Sequence, residues 1–120
     1  NVKKAQNNIS AKKIAFSIAN SPLIKTAIGA ADANWGRIIM AIGKSGEKVL
    51  TKKLNIKIGE FKIIENGKID PSYDEKIVQD YMEWPTIEIN IEMNTGEGNF
   101  TAYTCDLTKK YVEINSDYRS

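Results

Sequence analysis

Hydrophobic and polar positions change their period near the middle of the chain. Ala11, Ile14, Ala15 and Ile18 recur at helical spacing, and Ser10 ahead of them has the chemistry of an N-cap. Asn20-Ser21-Pro22 then ends that helix and opens a second, with Ser21 as the cap and Pro22 at the first helical position, where a missing N–H costs nothing. Leu23, Ile24, Ala27 and Ile28 form its apolar side, and Gly29 suits its exit. A third helix is expected from a cap at Asp32, with Trp35, Ile38, Ile39 and Ile42 on one face and Gly43 closing it. Gly36 inside that helix carries a propensity penalty of about 1 kcal/mol, which points to a close neighbour, by packing more readily than by a ligand.

From residue 54 the period is two. Leu54, Ile56 and Ile58 alternate with polar residues, Gly59-Glu60 can turn, and Phe61 to Ile64 returns as the second arm of a hairpin. Asn66-Gly67 is a further tight-turn signal. Ser72-x-x-Glu75 reads as a capping box for a helix that sets Tyr73, Ile77 and Tyr81 on one face and stops before Pro85. Ile87, Ile89, Ile91 and Met93 alternate with Glu88, Asn90, Glu92 and Asn94, the pattern of a half-buried strand. A turn over Thr95–Gly98 and strands over 99–105 and 110–115 complete the order. Helices first, then hairpin, helix and three strands, give a single α+β domain over residues 1–120, a small roll with a mixed or antiparallel sheet.

Composition narrows the chemistry. The 120 residues are 42% hydrophobic and 27% charged, with one Cys and no His, an ordinary globular balance. Without His, the usual general base of Ser and Cys hydrolases and the commonest metal ligand are both missing. One Cys closes no intrachain disulfide and builds no thiolate metal site. No apolar run approaches the roughly 20 residues of a membrane helix, and the opening NVKKAQNN lacks a signal-peptide segment. A soluble, cytoplasmic chain is expected. Asn1 is not an initiator methionine, so a processed precursor or a piece of a longer chain is expected. Asn also cannot act as an N-terminal nucleophile, which leaves any catalysis to be shared with residues outside these 120.

Charge is uneven. Residues 1–53 hold ten Lys/Arg against Asp32 and Glu47, a net of +8; residues 54–120 hold seven against thirteen acidic groups, a net of −6. A basic half can serve nucleic acid or an anionic ligand. Aromatic residues do not interleave with the basic ones as a single-strand platform requires, so solvated helix faces are the simpler reading and no nucleic-acid partner is expected. Gly96-Glu97-Gly98 precedes a strand and not a helix, so it reads as a hairpin turn and not as a phosphate loop. Cys105, with no His to activate it, reads as a small buried side chain, and the Tyr and Trp residues mostly as core. Asp74-Glu75 at a helix start complement its dipole.

Five segments resemble the C-terminal part of the ornithine acetyltransferase (glutamate N-acetyltransferase) family of arginine biosynthesis. They are SPLIKTA (21–27), DANWGRI (32–38), AIGKSG (41–46), TCDLT (104–108) and YVEINSDYRS (111–120), in the family's order. The resemblance implies an acyltransferase made as a precursor that cuts itself into α and β chains. The freed Thr of the β chain takes acetyl from N2-acetyl-L-ornithine and passes it to L-glutamate. That Thr and the family's GEGATK segment are absent here, and Gly96-Glu97-Gly98 is not that segment, because Asn99-Phe100 follow. No catalytic residue is therefore assigned in this chain.

Two family positions carry over as substrate-binding residues, Asn115 and Ser120. The family usually ends in Thr, and Ser keeps the hydroxyl. An amide and a hydroxyl both donate and accept, which suits the amino-acid end of a substrate. The resemblance further implies no bound cofactor or metal, acetyl-CoA as a donor if the enzyme is bifunctional, the α chain and the rest of the β chain as partners, and a dimer of heterodimers. A different class also fits the residues: a standalone binding or assembly module whose basic half engages an anionic partner.

Overall fold

A computed structural model describes residues 1–108. The elements, in chain order, are β1 (Val2–Ala5), α1 (Asn8–Ala19), α2 (Pro22–Gly29), α3 (Trp35–Lys44), a 3-10 turn at Thr51–Lys53, β2 (Asn55–Ile58), β3 (Phe61–Glu65), β4 (Lys68–Ile69), α4 (Glu75–Tyr81), β5 (Ile89–Glu92) and β6 (Gly98–Phe100). The sheet runs β4-β3-β2-β5-β1-β6. β1 and β5 are parallel, and the other pairs are antiparallel. The fold is α+β with a mixed sheet, as the element pattern suggests.

β1 is the element that the sequence reading misses. Four residues with charges at Lys3 and Lys4 carry little periodic signal, yet Val2 and Ala5 are buried. Its presence changes the meaning of Gly96-Glu97-Gly98. β5 and β6 are not neighbours, so the segment between them is no hairpin: it crosses the end of β1. The Thr95 and Gly96 amides donate to the Lys4 carbonyl at 2.9 and 3.2 Å. A Cβ on Gly96 would lie 2.7 Å from the Ala5 carbonyl oxygen, and one on Gly98 would enter the Asn7 backbone. Both glycines are there because one backbone passes directly over another.

One face of the sheet carries the core. Ile56 and Ile58 of β2 face Ile91 and Ile89 of β5 across the ladder. Ile14 of α1, Ile42 of α3, and Ile63, Ile91 and Met93 join them at 1% exposure or less. Each such side chain contributes about 1.5–3 kcal/mol by leaving water. Adjacent Ile63 and Ile64 are both buried, which a regular strand forbids. The β2–β3 register shifts between Ile56↔Ile64 and Lys57↔Lys62, so Ile63 is the extra residue of a bulge that turns both inward. β5 keeps the wet face expected of it: Glu92 pairs with Lys4 at 3.2 Å in solvent, an ion pair contributing at most about 1 kcal/mol.

Several helix ends differ from the expectations. α1 is capped by Asn7, whose side chain accepts from the Ser10 amide at 2.8 Å. Ser10 itself lies inside the helix and is buried. α2 begins as expected, with the Ser21 hydroxyl accepting from Ile24 N–H and Pro22 following. Its exit is not made by Gly29. Ala31 takes φ 52°, its N–H reaches the Ile28 carbonyl at 3.0 Å, and the Asp32 N–H reaches the Ala27 carbonyl at 2.8 Å. That is a Schellman closure with alanine in the left-handed position. Asp32 is thereby used in ending α2, α3 starts after Asn34 with no side-chain cap, and it runs one residue past Gly43. The Gly36 Cβ position meets nothing nearer than Asn34 Oδ1 at 3.6 Å among the described residues, so the expected close neighbour is not among them.

Ser72 is not the cap of α4. It donates its hydroxyl and amide to Asp70, while Asp74 caps the helix by accepting from the Lys76 and Ile77 amides. The helix turns Val78 and Met82 inward and leaves Ile77 exposed. Tyr81 sets that rotation: its ring lies where a Gly59 Cβ would be, and its hydroxyl accepts from Glu88 N–H at 3.0 Å. The strand expected over 99–105 ends at Phe100, and the strand expected over 110–115 lies outside the described residues.

Candidate functional site

Past Phe100 the chain leaves the sheet and runs as a strap without regular secondary structure over 101–108. Between the strap, α1, α2 and the segment entering β5 lies a cleft of about 460 Å³. Val2, Ile89 and Ile91 give it an apolar floor, and Ala15, Ile18 and Ile28 line its helical side. Polar groups gather at the rim: Glu88, Thr101, Thr104, Cys105 and Asp106, with Trp84 and Tyr103. An apolar bed with a few polar groups at its mouth can take an amphipathic ligand or a segment of polypeptide.

Both ends of the strap are fastened. At its start the Thr101 hydroxyl donates to Asn1 Oδ1 at 2.8 Å, Asn1 Nδ2 donates to Asn90 Oδ1 at 2.8 Å, and Asn90 Nδ2 donates to the Gly59 carbonyl at 3.0 Å. This amide relay ties the strap across the sheet to the β2–β3 turn. At its far end the Leu107 N–H donates to the Lys25 carbonyl at 3.0 Å. A Cβ on Gly29 would lie 2.5 Å from the Leu107 carbonyl oxygen. Gly29 is thus required for close approach of the strap and not for the helix exit.

Three of the five segments that resemble the acetyltransferase family meet at α2. SPLIKTA is α2 itself. DANWGRI makes the α2–α3 corner, where Arg37 Nη1 donates to the Leu23 carbonyl at 2.6 Å. AIGKSG ends α3, and TCDLT is the part of the strap that meets Lys25 and Gly29. The expected substrate-binding residues, Asn115 and Ser120, lie outside the described residues. The last described residue of the strap, Thr108, packs against Gly29.

Three expectations for this region are corrected. Cys105 is exposed and not buried, because the strap has no strand partner among the described residues. Trp84 and Tyr103 are not core: they are 66% and 91% exposed, at the cleft rim. Trp84 lies in the irregular stretch before Pro85, and that break in periodicity is the signal that separates it from the helix face. Among the described residues no group of three or more His, Cys, Asp or Glu could hold a metal ion. None of their helices is long and apolar enough to cross a membrane.

Comparison with known proteins agrees with the geometry. The model of the ArgJ family matches residues 1–120. The arginine biosynthesis bifunctional protein ArgJ of Rhizobium meliloti is 51% identical over 119 residues, 99% of this chain and 29% of that protein. Its counterpart in Brucella melitensis is 51% identical over 116 residues, 97% of this chain and 28% of that protein. The crystal structure of arginine biosynthesis bifunctional protein argJ from Bacillus halodurans superposes with a TM-score of 0.91 at 38% identity, covering 98% of this chain and 55% of that one. The chain spans less than a third of the length of the curated relatives it matches. With the family model matched from end to end and half of all positions identical to its members, the chain belongs to the ArgJ family of arginine biosynthesis.

Proposed function

We propose that this chain is the C-terminal domain of an N-acetyltransferase that moves acetyl from N2-acetyl-L-ornithine to L-glutamate, and that it supplies part of the substrate pocket. The observation that carries this reading is the family match over the whole chain, supported by the meeting of the segments 21–27, 32–38 and 104–108 at α2 and the strap. The described residues contain hydroxyls and carboxylates at the cleft but no imidazole to activate them. The family resemblance implies that the acetyl-accepting Thr belongs to the rest of the protein, at the start of a self-cleaved β chain. What the domain contributes is binding. Asn115 and Ser120, which follow the strap in sequence, are the residues that the family resemblance assigns to the amino-acid end of ornithine or glutamate in turn.

In this reading the partners are the α chain and the remainder of the β chain, assembled as a dimer of heterodimers in the cytoplasm. No bound cofactor is needed. Acetyl-CoA, where the enzyme is bifunctional, enters as a second acetyl donor. The test is the complete gene product, incubated with N-acetylornithine and analysed by mass spectrometry. An acetyl group on a Thr outside these 120 residues, discharged by glutamate, is expected. An enzyme that gains no acetyl, or gains it on residues 1–120, refutes the proposal.

A further inference from the structure

α3 is apolar on both sides. Its inward side is Ile38, Ala41 and Ile42, all buried in the core. At about 100° per residue, Gly36, Ile39, Met40 and Gly43 share one arc of about 100° on the opposite side. All four are exposed, Ile39 at 36% and Met40 at 50%. A surface helix of a soluble domain ordinarily turns charge outward, and one that is apolar all round is buried. Gly36 and Gly43 sharpen the point. Glycine weakens a helix interior, yet among the described residues nothing lies within 4 Å of a Cβ at Gly43, and only Asn34 Oδ1 lies within it at Gly36. The two leave shallow gaps on either side of Met40, where another backbone can come close.

Charge indicates what covers this face. Arg37 and Lys44 lie together along one edge of the arc, Arg37 with Nη1 on the Leu23 carbonyl, α3 has no acidic residue, and Lys48, Lys52 and Lys53 follow against Glu47 alone. A second copy packed antiparallel on this face would bring the two basic edges together, which is unfavourable. The curated relatives are more than three times as long as the stretch they share with this chain, so a large part of the family polypeptide lies outside these residues.

We propose that the outer face of α3 docks against an apolar segment with acidic flanks in the part of the family polypeptide outside residues 1–120. The inference rests on the family reading above. Contact between the two parts is made backbone-close at Gly36 and Gly43, with Met40 as the central knob, and Arg37 and Lys44 meet acidic side chains at the edge.

The test is photo-crosslinking in the complete protein, with p-benzoylphenylalanine at Met40 and, in a second variant, at Ile39. Exposed Lys48 serves as the control position. Irradiation followed by peptide mapping is expected to join position 40 or 39 to a segment outside residues 1–120 of the same gene product, at least ten-fold above the control. Crosslinks to residues 35–44 of another copy overturn the proposal, as does a yield at both positions no higher than at Lys48. Acetyl transfer by the unsubstituted protein is measured separately. Lack of transfer with the crosslink in place refutes the enzymatic reading and leaves the docking face standing; transfer without the crosslink does the reverse.

Discussion

Replacing Gly29 by Ala isolates the contact that fastens the strap. The new Cβ would lie 2.5 Å from the Leu107 carbonyl oxygen, 3.1 Å from its carbon and 3.2 Å from Thr108 Cγ2. Ordinary contact requires roughly 1 Å more for the closest of these. The helix itself gains about 1 kcal/mol, since alanine replaces glycine in its last turn. Overpacking of this kind costs about 1–3 kcal/mol, and the cheapest relief is for 107–108 to lift from α2. That movement forfeits the Leu107–Lys25 hydrogen bond, worth about 1 kcal/mol. Overall stability should therefore fall by no more than about 2 kcal/mol, while the strap opens locally. Hydrogen exchange should show the Leu107 amide losing about ten-fold or more in protection, with the core amides of β2 and β5 unchanged. In the complete enzyme kcat/KM for N-acetylornithine should fall at least as far. Unchanged Leu107 protection would refute the claim that Gly29 is there to admit the strap.

Other perturbations separate local effects. Ala31→Gly relieves a left-handed alanine at the α2 exit and should stabilise the protein by about 1 kcal/mol, read in urea unfolding; a loss of stability contradicts the Schellman assignment. Asn7→Ala removes the α1 cap and should cost about 1 kcal/mol, whereas Ser10→Ala should leave the helix start intact. Asp70 is held below its ordinary carboxylate value, first by the Ser72 hydroxyl, then by the Ser72 amide. Its contribution to stability is present above the unfolded-state value and disappears as pH falls through the folded one. An NMR titration should show the low midpoint, and Ser72→Ala should move it upward.

What the sequence made legible was whatever depends on local periodicity and turn chemistry. The β2–β3 hairpin around Gly59-Glu60, the Ser21-Pro22 start of α2 and the alternating Ile89–Glu92 strand all follow from spacing within a few residues. β1 was hidden because its identity as a strand comes from partners about ninety positions away, Ile91 and Phe100. Missing it turned a crossover at Gly96–Gly98 into an apparent hairpin. Competing caps were a second source of error. Asn7 and Ser10, Asp32 and Asn34, and Ser72 and Asp74 all have N-cap chemistry, and tertiary packing chose between them. The candidate site was legible as family segments but not as a shape. That SPLIKTA and TCDLT touch through Gly29 and Leu107 is a long-range backbone contact, for which the sequence offers only an unexplained glycine.

The most direct measurement of the central claim is the steady-state kinetics of Asn115→Ala in the complete, processed and folded enzyme. Loss of a hydrogen bond to a charged substrate group, worth roughly 1.5–3 kcal/mol, predicts a ten- to hundred-fold drop in kcat/KM. Under the proposed function, in which one pocket serves both half-reactions, the drop should be similar for N-acetylornithine and glutamate, and the proposed self-cleavage should proceed normally. Deleting Ser120 should act in the same direction, and Ser120→Thr should be close to neutral. An unchanged kcat/KM for N-acetylornithine in Asn115→Ala would contradict the assignment of this domain to substrate binding.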